Sequence, residues 1–438
     1  MLYNPFTPTR IASKPDEFFG RFAEINSLES SLQIGSVVLD GPIGIGKSSL
    51  LSRVVLAMEG FATGKRAKSI LATGHKGIAT VEDAARLLLQ KFVDIDERKK
   101  AVSFKMTLGV PKLGMGAEYE RKTEEIYRHF ADGQHLAALS KIIERETLLQ
   151  ILGEDQVLLL CIDEADKCPV PLARLVRSIS TDIQHQGVDS VRFVLAGVSP
   201  YFQAMVAEDE GIRRFFYKTI QLQSLSDSDS QDLLHTKLSM VARHAEKDGI
   251  RLRIHPNVIG RVVSLSGGHP HILQLLGSHL VEHENEDPDG IIDSKDLVNS
   301  LRRVCYEDRS QVYESTLHML ELEGRLDPLL ELFTEGAAGF PTSLEQATAI
   351  NTVGTGTLQW FVDHNVLARN EDGSYGLVDE FLRIRMLLDQ LDTSDELKRV
   401  ELEILEQFAL QSSYLEDSSF DDRIRIVGDD SIPPNSER

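Results

Sequence analysis

Read for the spacing of its apolar positions, the chain changes character at about residue 225. Up to there, short apolar runs alternate with stretches in which apolar residues recur every three or four positions. The runs at 37–39, 69–73, 156–162 and 191–197 are too short for helices and too uniformly apolar for half-exposed strands, which predicts strands buried on both faces. Helical spacing fills the intervals, at 50–58, 81–92, 136–152 and 171–184. Such alternation predicts an α/β fold, a parallel sheet with helices on both faces. The pattern loosens at 94–133, where weak alternation over 102–109 and Gly and Pro breaks over 110–116 predict an insertion containing a hairpin.

From 225 the spacing is helical throughout. Ser226 and Asp229 cap a helix reaching His244, a second covers 255–265, and Pro270 opens a third running to His283. The acidic, Pro-containing stretch 284–290 predicts a linker. Beyond it, 313–333 reads as two helices, with shorter ones at 343–350 and 355–366. A hairpin turning at Asp372-Gly373 follows, and helix-helix-hairpin order predicts a winged helix. A last helix is expected at 394–410 and a loosely held acidic tail after it. The expected divisions are 1–224 for the α/β core with its 94–133 insertion and 225–288 for an all-α lid. They continue with 289–411 for the winged-helix domain and its C-terminal helix, and 412–438 for the tail.

Composition narrows the setting. The 438 residues suffice for about three domains. A formal charge of −21 opposes a broad phosphate-tracking surface, so nucleic-acid binding is disfavoured. Three cysteines, Cys161, Cys168 and Cys305, make no disulfide framework. No apolar run is long enough to cross a bilayer, and the first residues have no leader-like pattern, so the expectation is a cytoplasmic protein without membrane association.

The chemistry centres on Gly41-Pro42-Ile43-Gly44-Ile45-Gly46-Lys47-Ser48-Ser49, which lies between an apolar strand and a helix. This is the G-x-x-x-x-G-K-S phosphate loop. Its glycines let backbone N–H groups close on an anion, Lys47 reaches the terminal phosphates, and the Ser48 hydroxyl suits Mg²⁺. The later apolar strand ending in Asp163-Glu164 is its natural partner, since strand ends of a parallel sheet emerge at one edge. Asp163 can hold the Mg²⁺, and Glu164 can deprotonate water for attack. Asp166 and Lys167 read as surface charges. His279 and His283, in an H-x-x-E-H pattern, read as solvated residues at a helix end rather than zinc ligands.

With these motifs the chain resembles AAA+ ATPases, on the branch shared by origin-recognition ATPases and STAND signalling NTPases. Phe19-Gly20-Arg21 with Glu24 resembles the family's adenine-side element, and Asp163-Glu164-Ala165-Asp166 its Walker B box. The resemblance implies the P-loop NTPase fold, ATP and Mg²⁺ as ligands, and hydrolysis to ADP and phosphate. It places Gly20 and Arg21 in the ATP site. It makes Ser199 the candidate γ-phosphate sensor, with a turn role as the other reading. Arg214 becomes an arginine finger acting on a neighbouring subunit, against a plain surface Arg pair with Arg213. Pro270, in Gly268-His269-Pro270, resembles the STAND G-x-P element over the nucleotide, or is an ordinary first-turn proline.

The implied function is an ATP-driven switch that forms a homo-oligomer and controls an effector protein encoded nearby, as relatives do in antiviral defence. The alternative is a DNA-associated ATPase of origin-recognition, replication or transposition type. That reading would use Lys99, Lys100, Lys105, Lys112, Arg121 and Lys122 as a basic strip. The expected recognition helix, 355–364, contains no Lys or Arg, which favours protein packing there.

Overall fold

The computed structural model describes residues 1–12, 17–58, 66–96, 101–104, 117–152, 156–188, 190–198, 201–308, 310–334, 343–364, 366–369, 373–379 and 381–386. The first part runs α1 (Phe22–Ile34), β1 (Ser36–Asp40), α2 (Lys47–Met58), β2 (Arg66–Thr73) and α3 (Val81–Phe92). The hairpin β3 (Val93–Asp96) and β4 (Ala101–Phe104) precedes α4 (Ala117–Ala131), α5 (His135–Ile143) and α6 (Arg145–Leu152). Then come β5 (Gln156–Asp163), α7 (Pro169–His185), β6 (Val191–Gly197), α8 (Tyr201–Glu208) and β7 (Phe216–Gln221).

Five strands form one sheet in the order β2-β5-β6-β1-β7, with every pairing parallel. The apolar runs divide by the two-residue period of a strand. Leu158, Leu160 and Ile162 of β5 face a core shared with Leu88 of α3, Leu139 of α5 and Val176 of α7. Leu159 and Cys161 face the opposite core, with Leu28 and Leu32 of α1 and Leu50 and Leu51 of α2. This two-sided burial is why the inner runs 157–162 and 193–197 carry no polar residues, whereas β2 and β7 at the sheet edges do.

The expected single helix over 136–152 is broken at Glu144, whose backbone is extended (φ −55°, ψ 140°). The break brings Leu148 onto the core already faced by Ile142 and Ile143.

A helical unit follows, with α9 (Asp227–Lys247), β8 (Arg253–Ile254), α10 (Pro256–Ser266), α11 (Pro270–Glu286), β9 (Ile291–Ile292) and α12 (Ser294–Arg303). Here the expected linker is overturned. β9 pairs in parallel with β8, and Ile292, Leu297, Leu301, Val304 and Cys305 share one core with Leu234, Val262 and Leu276. Buried Glu284 accepts the Gly290 N–H at 2.9 Å, folding the acidic stretch back on itself. The helical unit therefore extends well past residue 288.

The first residues also belong to this core. Leu2 and Phe6 are buried in it, Lys237 donates to the Pro5 carbonyl at 2.8 Å, and Asn4 donates to Ser278. Phe6 lies so close to α11 that a Cβ on Gly277 would fall 2.2 Å from its ring.

The last described unit holds α13 (Ser310–Leu322), α14 (Leu326–Thr334), α15 (Gln346–Asp363) and the antiparallel hairpin β10 (Leu367–Arg369) and β11 (Tyr375–Leu377). α15 breaks at Gly354 (φ 76°, ψ 157°), giving the two short helices expected there. Its core gathers Tyr313, Phe333 and Phe361. The expected helix over 394–410 and the acidic tail lie outside the described residues.

Candidate nucleotide site

β1 ends at Asp40, whose carboxylate accepts the Gly41 N–H at 2.8 Å and starts the loop. The loop needs left-handed backbone at Gly44 (φ 79°) and Gly46 (φ 101°), which a residue with a Cβ adopts only at a cost. α2 begins at Lys47, so its N-terminus and the loop N–H groups converge where an anion would sit. Lys47 is buried and donates to the Gly41 and Pro42 carbonyls at 2.8 and 2.7 Å. Burial lowers its ammonium to about 8, against the pull of Asp163, Asp40 and Asp166.

β6 lies between β5 and β1 and is parallel to both. In register, Ile162 pairs with Leu195 and Asp40 with Gly197, so Asp163 and the loop leave the same sheet edge. Glu164 stands just beyond, exposed and in left-handed backbone (φ 50°, ψ 39°). A non-glycine residue in this region is strained, and such strain collects at working sites.

Arg21 is the other non-glycine residue in this conformation among those described (φ 67°). Its guanidinium, buried, donates to Glu24 at 2.8 Å and to the Ile45 carbonyl at 3.1 Å. Gly20 permits the approach of α9, since a Cβ there would lie 2.9 Å from Asp229 Cγ.

A cleft with a cavity volume of about 120 Å³ adjoins the loop. Gly44, Ile45, Gly46 and Ser49 form its floor, Phe18, Phe19 and Arg21 one wall, and Leu225, Pro270 and Gln274 another. The N-terminal segment lines a further side: Thr7 N–H donates to Gln274 at 3.1 Å, and Ala12 N–H to the Ser49 hydroxyl at 3.2 Å.

The remaining expected residues fall elsewhere. Ser199 lies outside the described residues. Arg214 is exposed, with its guanidinium 4.8 Å from the Phe215 ring centre. It precedes β7, whose Phe216 pairs with Ser36 at the start of β1, so about 13 Å of strand separates it from its own phosphate loop. Of the expected basic strip only Arg121 has a described side chain, and it is exposed.

Two expectations are corrected. Asp166 is no plain surface charge, because its carboxylate accepts the Val198 N–H at 3.2 Å and ties the turn after β5 to the end of β6. His279 is 5% exposed and pairs with Glu282 at 2.9 Å. Among the described residues no three His, Cys, Asp or Glu side chains converge to hold a metal.

Tyr201 and His269 gave no sequence signal. Tyr201 is buried beneath the loop, its hydroxyl 3.0 Å from the Leu195 carbonyl and 3.3 Å from that of Leu39. Burial, then Asp40, Asp166 and Asp163, hold its phenol well above the ordinary value. His269 lies against the loop from the lid side, its Nε2 2.9 Å from the Ile43 carbonyl.

The parallel sheet with this loop, the acidic strand end beside it and the helical unit over the cleft make a P-loop α/β fold with a helical unit beside the loop. Neither the protein-family models nor the curated proteins contain a match to the chain. Among solved structures it is similar to the Walker-type ATPase PABY2304 of Pyrococcus abyssi, at 15% identity over 86% of this chain and 98% of that one, with a TM-score of 0.51. It also matches the Aeropyrum pernix ORC2 protein in ADPNP-ADP complexes, at 13% identity over 88% and 96% of the two chains and a TM-score of 0.48. The Aeropyrum pernix ORC1 protein in complex with DNA follows, at 17% identity over 86% and 94% and a TM-score of 0.43. The first likeness is one of fold, and the other two add nothing to it.

The donors at the loop mouth suit Mg²⁺. Ser48 and Asp163 are hard oxygen ligands, and Mg²⁺ takes one or two of these with phosphates and water rather than a full protein cage. Ser48 and Asp163 would hold the ion, which would neutralise charge on the phosphates.

Proposed function

We propose that the chain is an ATP-binding and ATP-hydrolysing switch whose helical and C-terminal units change their mutual packing with the nucleotide. One observation carries this reading: residues 265–271, the end of α10 and the start of α11, have the phosphate loop on one side and the C-terminal unit on the other. His269 touches Ile43, while His271 packs edge-on against Phe381 at 5.6 Å between ring centres. Buried Arg383 donates to the Leu265 carbonyl. Whatever moves the phosphate loop bears on the C-terminal unit through one short segment.

In this reading Lys47 leaves the Gly41 and Pro42 carbonyls for the phosphates, and Arg21 holds the loop from the adenine side. Glu164 takes a proton from water as its oxygen bonds the γ-phosphorus. The bond to the β–γ bridging oxygen breaks, and ADP leaves with that electron pair. Arg214, turned away from its own site, stabilises the developing charge in a second copy. Residues 310–386 are read as a winged helix used for packing, with a separate protein as the controlled partner.

Light scattering of wild type and Glu164→Gln, with and without Mg-ATP and then with DNA, tests this. The switch predicts ATP-dependent assembly that persists in Glu164→Gln, ignores DNA and is lost in Arg214→Ala. Assembly only on DNA would favour a DNA-associated ATPase, and no nucleotide-dependent change would reject the switch.

A further inference from the structure

Ile43 and Gly44 share one peptide unit, and in a trans unit the carbonyl and the N–H point in opposite directions. The Ile43 carbonyl accepts only, so His269 carries its proton on Nε2 and donates it there at 2.9 Å. His269 is 3% exposed, and its Nδ1 is buried with no partner among the described residues, so within these the polar engagement of the side chain is with the phosphate loop. Its backbone is fixed on both sides: His269 N–H donates to Ser266, its carbonyl accepts from Leu273, and Pro270 starts α11.

The loop has a reason to need such a tether. Gly44 carries no Cβ and sits at φ 79°, where the peptide before it turns over easily. A turned peptide would present a carbonyl to the phosphates in place of an N–H. The fit against the lid is close, for a Cβ on Gly44 would lie 2.7 Å from His269 Cε1 and 3.0 Å from His271 Cβ.

We propose that His269 is a positioning residue for phosphate recognition: by holding the Ile43 carbonyl from the lid side, it presents the Gly44 N–H to the β- and γ-phosphates. The proposal rests on the nucleotide reading of the loop and adds the route by which phosphate, as distinct from the base, engages the lid. Coupling of this kind is reciprocal. A bound diphosphate holds the peptide in place, and the held peptide retains His269 and the start of α11.

The test is titration of the full chain with ADP, ATP and adenosine, in wild type, His269→Leu, His269→Gln and Lys47→Ala. Leu keeps the volume without a donor, and Gln places an amide N–H where Nε2 was. The expected result is about a tenfold loss of ADP and ATP affinity in His269→Leu, with adenosine unchanged and His269→Gln within about threefold of wild type. Unchanged ADP affinity in His269→Leu, or an equal loss for adenosine, overturns the proposal.

Hydrogen exchange on wild type serves should the variants misfold. ADP should slow exchange over 264–273 and adenosine should not, and equal protection by both overturns the proposal. Loss of ADP binding in Lys47→Ala alone would reject the role of His269 and leave the nucleotide site standing. Wild type binding ADP no better than adenosine would reject the nucleotide reading, and this inference with it.

Discussion

Arg21 holds the carbonyl of Ile45 at 3.1 Å from a backbone in left-handed conformation, so a strained residue in front of α1 supports the phosphate loop from outside. The strain and the clamp can be separated. Arg21→Gly relieves the backbone and loses the guanidinium, whereas Arg21→Ala loses the guanidinium and keeps the strain. Both should weaken ATP binding by about tenfold, and Arg21→Ala should be the less stable by about 1 kcal/mol. Equilibrium titration and urea unfolding of the pair check this.

Acid should loosen the lid from the loop. Burial, and then His271, Lys47 and Arg383, hold His269 down at about 4 against the lift of the Ile43 carbonyl. An unfolded histidine titrates near ~6.5. Between these values the unfolded chain binds a proton that the folded lid refuses, so this contribution is complete above the upper value and is lost as pH falls towards the lower. The loss reaches about 3 kcal/mol at the acid end. The stability difference between wild type and His269→Leu should shrink over that interval, read by denaturant unfolding at a series of pH values.

Gly74 offers a way to move Glu164 without touching it. Its N–H donates to the Asp163 carbonyl at 2.8 Å, and a Cβ at Gly74 would lie 2.5 Å from the Glu164 carbonyl oxygen. Backbone is on both sides of that contact, so Gly74→Ala must displace the Glu164 turn. Hydrolysis should fall by at least about tenfold while ATP affinity changes by less than about threefold. Single-turnover kinetics beside a binding titration separates the two.

Glu284 predicts a stabilising change. Its pKa is raised by burial and by Asp289 and Asp296, against the Gly290 N–H that favours its charged form. The folded unit therefore holds the proton more tightly than the unfolded chain, and stability from this group declines as pH rises past the ordinary carboxylate range. Glu284→Gln keeps an acceptor for Gly290 and removes the charge. Its melting temperature should exceed wild type by about 2 °C at pH 8, with no gain at pH 4.

The phosphate loop was legible because glycine spacing and a lysine at a fixed offset constrain the backbone wherever the rest of the chain goes. The inner strands were legible because two-sided burial leaves an unbroken apolar run. Asp166 was not, because an acid beside Lys167 says nothing of an amide thirty-two residues later that it will hold. The acidic stretch at the end of α11 and the pair His279 and Glu282 were misread for one shared reason. α12 returns across α11, with Arg303 3.6 Å from Glu282, and His279 and Glu284 are buried there although Glu286, Asp287 and Asp289 stay exposed. His269 was hidden differently, since a histidine before a helix-starting proline has no periodicity to break.

The opening residues have a consequence for the order in which the chain folds. Leu2 N–H bonds to Asn285, 283 positions later, and Leu2 and Phe6 fill a core completed by Val304 and Cys305. During synthesis those side chains emerge well before their partners and have nothing to pack on until more than two hundred further residues have followed. The sheet can form in the meantime, since its contacts close earlier in the chain. Closing the helical unit over the cleft is thus a late, long-range step, and the cleft acquires its last wall only after the loop it covers has been built.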